Sequence, residues 1–303
     1  VVSRLAHTLS LGVVLLALAC QPSSPPAAPH ATPPPSTAVS PVSAQPEPTL
    51  RFLSRGRDLR TLTRAELVAR IPSVTFTQYD PYYAAPKTYR ALPLAAVLEA
   101  GTGSTAAALA QVEWVLRASD GYAVPIAGAR LLEDGAHLAI ADVDVPDWAP
   151  IGPQRANPGP YYLVWSKDGQ QDLETHPRPW QLASLEIAPF ETVYPHTVPT
   201  GVAPDSPAAR GFALFKQQCI RCHMINREGG KVGPELNVPQ SVVEYRQADY
   251  LRAFIKNPWQ FRYGAMPPMA HLTEADLDAV LAYFDAMRQR KHDPDAGKIV
   301  APH

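Results

Sequence analysis

Cys219-Ile220-Arg221-Cys222-His223 decides how the last third of this chain reads. Two thiols three positions apart can each add to a haem vinyl group, and the histidine that follows is then held beneath the iron as its proximal ligand. The pattern has two competitors, a redox dithiol and half of a zinc site. A redox dithiol belongs beside a β-α-β pattern, whereas this pair ends a helical pattern and precedes a loop. A zinc site wants further thiolates, and the only other cysteine is Cys20, about two hundred residues away. The reading is one covalent haem c on Cys219 and Cys222, with His223 as a metal ligand.

The surrounding residues, 205–290, are patterned as helices. Asp205-Ser206-Pro207 is a helix start with proline at the first helical position, and Phe212, Phe215 and Cys219 follow at helical spacing. Ala248 to Ile255 forms a second helix, ended before Asn257-Pro258. Thr273-Glu274-Ala275-Asp276 resembles a capping box, and Leu277, Val280, Leu281, Phe284 and Met287 mark one apolar face of a last helix.

With these residues in place, 205–290 resembles class I cytochrome c. Val232-Gly233-Pro234-Glu235-Leu236 is similar to that family's proline loop. The resemblance implies that the Pro234 carbonyl accepts a hydrogen bond from His223, that Leu236 packs on the haem edge and that Trp259 lies against the haem or a propionate. It also implies that the last helix crosses the first near Gly211, Phe215 and Tyr283. The sixth ligand must then come from one of four methionines or a histidine. Met224 adjoins His223 and cannot reach the opposite face, and Met287 belongs to an apolar helix face. Gly264-Ala265-Met266-Pro267-Pro268-Met269 remains, and the family's Met-Pro loop favours Met266, with Met269 second and His271 third. His/Met ligation fills the iron's sixth position, which suits electron transfer rather than catalysis at the haem.

Residues 49–195 read as a β-rich α+β domain. Thr63-Arg64-Ala65-Glu66 caps a short helix, and Leu92 to Ala100 predicts another, stopped by Gly101. Val112 to Ala118, Tyr161 to Trp165 and Trp180 to Ile187 predict strands. Tyr89 to Leu94, Ser119 to Pro125 and Gly159 to Val164, with Trp180 to Ile187, resemble the molybdopterin-binding domain of sulfite-oxidase-type oxidoreductases. Those enzymes place a cysteine thiolate on molybdenum, and no Cys lies between 21 and 218 here. The resemblance therefore implies a non-catalytic relative, a docking module whose Tyr79, Tyr82, Tyr83, Arg90, Trp148, Arg155, Trp165 and Arg178 line an old pocket or a partner surface, or are ordinary core and surface. His137, His176 and His196 read as structural, and Asp142, Asp144 and Asp147 as a solvated turn rather than a cation site.

Residues 1–20 read as a signal peptide: the apolar run Leu9 to Ala19 is too short to span a bilayer and ends at Cys20 in a lipobox-like pattern. Residues 21–48, rich in Pro, Ala, Ser and Thr, predict a disordered tether, and 291–303 a polar tail. A net charge of -1 gives no electrostatic footprint for nucleic acid.

The sequence thus describes two domains, a β-rich α+β domain followed by an all-α cytochrome c domain. The expected function is electron transfer between a redox-protein donor and acceptor. The expected location is the bacterial periplasm or cell envelope, on a membrane through a lipid anchor at Cys20. Two other readings stand beside it, the haem subunit of a molybdenum-type oxidoreductase and a redox or ligand-sensing module.

Overall fold

Alternation of apolar and polar residues builds two sheets in the first half of the computed structural model, which describes residues 46–152 and 155–297. The first has five strands in the order β2 (Arg57–Thr63), β1 (Thr49–Ser54), β9 (Leu182–Ile187), β5 (Glu113–Ala118) and β6 (Ala123–Ala127). β1 and β9 run parallel, and the remaining pairs are antiparallel. The second is antiparallel, in the order β3 (Val74–Asp80), β4 (Ala85–Pro93), β7 (Ala136–Asp142) and β8 (Tyr162–Trp165).

All of β8 is buried, because the sheet is covered on both faces. Leu163 and Trp165 point into the main core with Leu50, Phe52, Leu92, Trp114 and Leu138. Tyr162 and Val164 point the other way, into an aromatic cluster with Tyr89, Tyr82, Trp148 and Trp180.

Helix α1 (Arg64–Arg70) carries the expected capping box on Thr63 and Glu66. The next helix departs from expectation. β4 runs on through Pro93, and α2 (Leu94–Thr102) continues past Gly101 to Gly103, which takes the left-handed conformation that ends it. Gly101 serves packing instead: a Cβ there would fall 2.2 Å from the Phe52 ring. In the aspartate cluster the solvated turn holds for Asp144 and Asp147, which are exposed, and fails for Asp142, which is buried. Asp142 and Asp144 both hold Lys87, at 2.8 and 3.2 Å, and the Asp142 carboxylate is fully buried.

The second half is helical. α3 (Pro207–Leu214) starts on the Ser206 cap, α4 (Ala248–Lys256) ends at Asn257, and α5 (Glu274–Arg288) starts on a Thr273–Asp276 capping box. α3 and α5 cross at Gly211, and the Phe215 ring packs at a tilt against Tyr283 with ring centroids 5.1 Å apart. Leu277, Val280, Leu281, Phe284 and Met287 are all buried on α5. The chain from Pro46 onward forms one compact unit, so the sheet and helical regions pack together. The expected signal peptide, Cys20 and nearly all of the tether lie outside the described residues, as do 298–303 of the tail.

Candidate haem-binding site

The Cys-x-x-Cys-His stretch is delivered by α3 through a wider turn. After Leu214 the helix opens into a π turn, Phe215–Cys219, closed by Ile220 N–H on the Phe215 carbonyl at 2.9 Å. Cys222 and His223 N–H groups then both return to the Cys219 carbonyl, at 3.1 and 2.9 Å, so that the two thiols and the imidazole share one tight loop. Both cysteines are free thiols. Burial pushes Cys219 up to about 12 and Cys222 up to about 11, so both are neutral thiols at physiological pH.

A short hairpin follows. Met224–Ile225 pairs with Glu228–Gly229 around Asn226 and Arg227, both left-handed. It brings the chain back over the motif: Gly230 N–H bonds Ile220 O at 2.8 Å and Gly233 N–H bonds Cys222 O at 2.7 Å. Glu235 locks the return, its carboxylate accepting from the backbone N–H groups of Asn226, Arg227, Asn237 and Val238. Asn226 is buried, and its amide donates to His196 O and Arg290 O, tying the hairpin to the end of α5.

His223 Nδ1–H donates to the Pro234 carbonyl at 3.0 Å, which fixes the tautomer and leaves Nε2 as the metal-binding atom. Burial holds its pKa below the usual range, and the Pro234 bond opposes this only in part, so the imidazole is neutral, the form that ligates iron. Gly233 lies flat against this ring: a Cβ there would fall 2.6 Å from His223 Cε1. Two free thiols, an oriented neutral imidazole and a backbone cradle fit haem c. Among the described residues no group of three or more His, Cys, Asp or Glu could hold a metal ion by itself, which leaves the zinc reading without ligands.

Leu236 packs at the edge of the helical core with Phe215, Ile220 and Ile225. Trp259 is half exposed on the one-turn helix Pro258–Gln260. Met266 is partly buried in the loop before α5, and Met269 is tied by its N–H to Ile255 O at 3.1 Å, at the end of α4. His271 is already engaged, its Nε2 bonded to Glu174 at 2.9 Å and Gln218 at 3.0 Å.

In the sheet region the candidate residues divide. Tyr82, Tyr83 and Trp148 gather in the aromatic cluster, while Trp165 belongs to the main core and Tyr79, Arg90 and Arg155 are exposed. Arg178 is buried beside Asp80 at 3.6 Å, and Asp80 also accepts from the Tyr89 and Tyr162 hydroxyls at 3.0 Å each. His137 Nδ1–H donates to Gly135 O, His176 packs on Trp165 beside Glu133, and His196 pairs with Glu228.

Sequence reading passed over two features. Arg221, inside the motif, donates to Leu173 O at 3.1 Å and Glu174 O at 2.9 Å in the sheet region. Tyr82 and Tyr122 lie near Arg221 and Cys222. Nothing in the spacing of these residues signals contacts about fifty to one hundred and forty residues apart, and only the tertiary fold creates them.

The family model for cytochrome c oxidase, cbb3-type, subunit III, matches residues 206–284. No curated protein matches the chain. The match and the geometry together make the C-terminal region a cytochrome c domain, which carries haem c and serves haem-based electron transfer. Over the described residues a β-rich region is followed by this helical domain.

Proposed function

We propose that the chain is a mono-haem c-type cytochrome of the bacterial periplasm or cell envelope. It is anchored to a membrane by a lipid on Cys20 and carries electrons from a protein donor to a protein acceptor. The observation that carries the haem reading is the His223–Pro234 bond directly behind two free thiols. The boundaries that go with it are a signal peptide over 1–20, a tether over 21–48, a sheet domain over 49–195, the cytochrome domain over 205–290 and a tail from 291.

In this reading Cys219 and Cys222 would hold the macrocycle through thioethers, and His223 Nε2 would ligate the iron. Pro234 orients the imidazole, Leu236 and Trp259 would contact the group, and Met266 would supply the sixth ligand. The haem supplies one-electron chemistry when bound. The protein keeps the imidazole neutral and oriented, and the Met266 thioether favours the ferrous state. His271 is engaged with Glu174 and Gln218, which supports a methionine at the sixth position.

The sheet domain is read as a non-catalytic relative of the sulfite-oxidase-type molybdopterin fold. A molybdenum centre does not fit these residues, because a thiolate ligand is lacking between 21 and 218. A second reading, a ligand-sensing domain, draws support from polar groups buried without a hydrogen-bond partner: both side-chain polar atoms of Gln78, Arg178 Nε and Nη1, and Trp180 Nε1.

The test is an iron and molybdenum count on protein purified from its native membrane, with a spectrum of the denatured protein to detect thioether-linked haem. One iron, no molybdenum and a covalent haem spectrum are expected. Stoichiometric molybdenum would overturn the carrier reading in favour of an oxidoreductase feeding its own haem.

A further inference from the structure

The haem motif is clamped to the sheet region through Arg221. The guanidinium donates to two successive carbonyls of the sheet region, Leu173 and Glu174. On the other side, Ala123 N–H bonds the Arg221 carbonyl at 3.0 Å, and Lys231 N–H bonds Gly121 O at 2.8 Å. The approach is close: a Cβ on Gly121 would fall 2.9 Å from Lys231 Cβ. Glu174 adds side-chain contacts to Gln218 at 3.2 Å and to His271 at 2.9 Å. The loop 120–123 and the segment 173–174 thus grip Arg221, the second of the two residues between the cysteines, from both sides.

This grip fixes a charge. The Arg221 guanidinium is a cation, and it is only partly exposed. Tyr122 faces the guanidinium, which pulls its pKa down while burial, the larger effect, pushes it up to about 12, so the phenol brings no compensating charge. Of the neighbouring acids, Asp120 spends one oxygen on the Tyr122 N–H at 2.9 Å, and the Glu174 carboxylate is engaged by Gln218 and His271. A cation held beside the attachment point disfavours the added positive charge of ferric iron, and partial burial limits its screening by salt.

We infer that Arg221 is a positioning residue through which the sheet domain sets the reduction potential of the haem: Leu173 O, Glu174 O and the Ala123 N–H hold its charge at the Cys222 edge. The inference rests on the haem c reading of the motif. It gives the sheet domain a role that requires no cofactor of its own.

The experiment is a redox titration of the full-length haem-loaded protein, wild type against R221M and R221K, followed by absorbance at low and at about 1 M salt. R221M is expected to lower the ferrous-to-ferric ratio at fixed ambient potential about tenfold, which is about 59 mV for one electron. R221K, which keeps the charge, stays nearer the wild type. The R221M shift persists at high salt, and hydrogen exchange at the Lys231 amide shows that the regions remain docked. Should R221M fail to load haem, R221Q is read in the same way. A potential equal to that of the wild type in the charge-removed variant overturns the inference, and so does a shift that vanishes at high salt. Wild-type protein without covalent haem overturns the haem reading as well, which separates the two failures.

Discussion

Gly211 and Ala279 touch backbone to backbone where the first and last helices of the cytochrome domain cross. A Cβ at 211 would fall 1.9 Å from the Ala279 carbonyl oxygen and 2.8 Å from Tyr283 Cβ. These neighbours are backbone and the root of a fully buried side chain, so neither can move aside alone. Gly211→Ala is therefore expected to force the helices apart and to cost about 1–3 kcal/mol. Thermal unfolding should show a lower Tm. An unchanged Tm would mean that the crossing is looser than the structure has it.

The same argument reaches the iron ligand through Gly233. Its α-carbon lies against the His223 ring, which is held at Nδ1 by Pro234 O. Gly233→Ala is expected to push the imidazole off the Pro234 carbonyl while leaving both thiols in place. The haem should stay attached, with an altered ferrous spectrum and weaker resistance of the iron to exogenous ligands such as imidazole. An unaltered spectrum and ligand affinity would show that the loop gives way at no cost to the histidine.

Much of this was readable from local signals. Capping boxes at Thr63 and Thr273, the Ser206-Pro207 start and the apolar face of α5 are short-range patterns, and the structure has each of them. His223 and Pro234 are eleven residues apart, within reach of one loop. The end of α2 misled because glycine has two uses. Gly101 reads as a stop, but it packs under Phe52, and Gly103 ends the helix. Asp142, alone of its cluster, misled because its partner, Lys87, lies on another strand. Arg221 was invisible as a clamp for the same reason: its partners are carbonyls, whose positions depend on the fold and not on side-chain identity.

Lys87 and Asp142 offer a test of the sheet domain alone. The pair is 2.8 Å apart, with the carboxylate fully buried and the lysine side chain 9% exposed. Asp142 also accepts from the Asp144 and Ala149 N–H groups, so it cannot turn away when the lysine is lost. Lys87→Met should leave a buried carboxylate without its cation and cost about 3–5 kcal/mol. The double variant with Asp142→Asn should recover part of that loss, because it removes the stranded charge. Denaturant unfolding of the two variants side by side decides the matter, and equal losses in both would contradict the coupling.

Thr273 and Asp276 give a prediction in pH. Asp276 accepts from the Thr273 N–H and hydroxyl, and Arg210 on α3 reaches the same carboxylate. Thr273's own hydroxyl and N–H contribute most to holding its pKa down, with Arg210 next, and it falls from the usual 3.8 to about 2. A folded-state pKa below the unfolded one means that the contribution is complete above the unfolded value and is lost as the pH falls toward the folded value. Stability of α5 should therefore be level above about pH 4 and decline between there and about 2. Asp276→Asn should flatten that part of the acid limb while lowering stability at neutral pH, since the amide cannot provide the same charge to the helix N-terminus or to Arg210. Thr273→Ala removes the cap without removing the carboxylate and should cost about 1 kcal/mol at neutral pH. Circular dichroism at a series of pH values separates the two variants. An acid limb in Asp276→Asn as steep as in the wild type would assign that limb to other carboxylates.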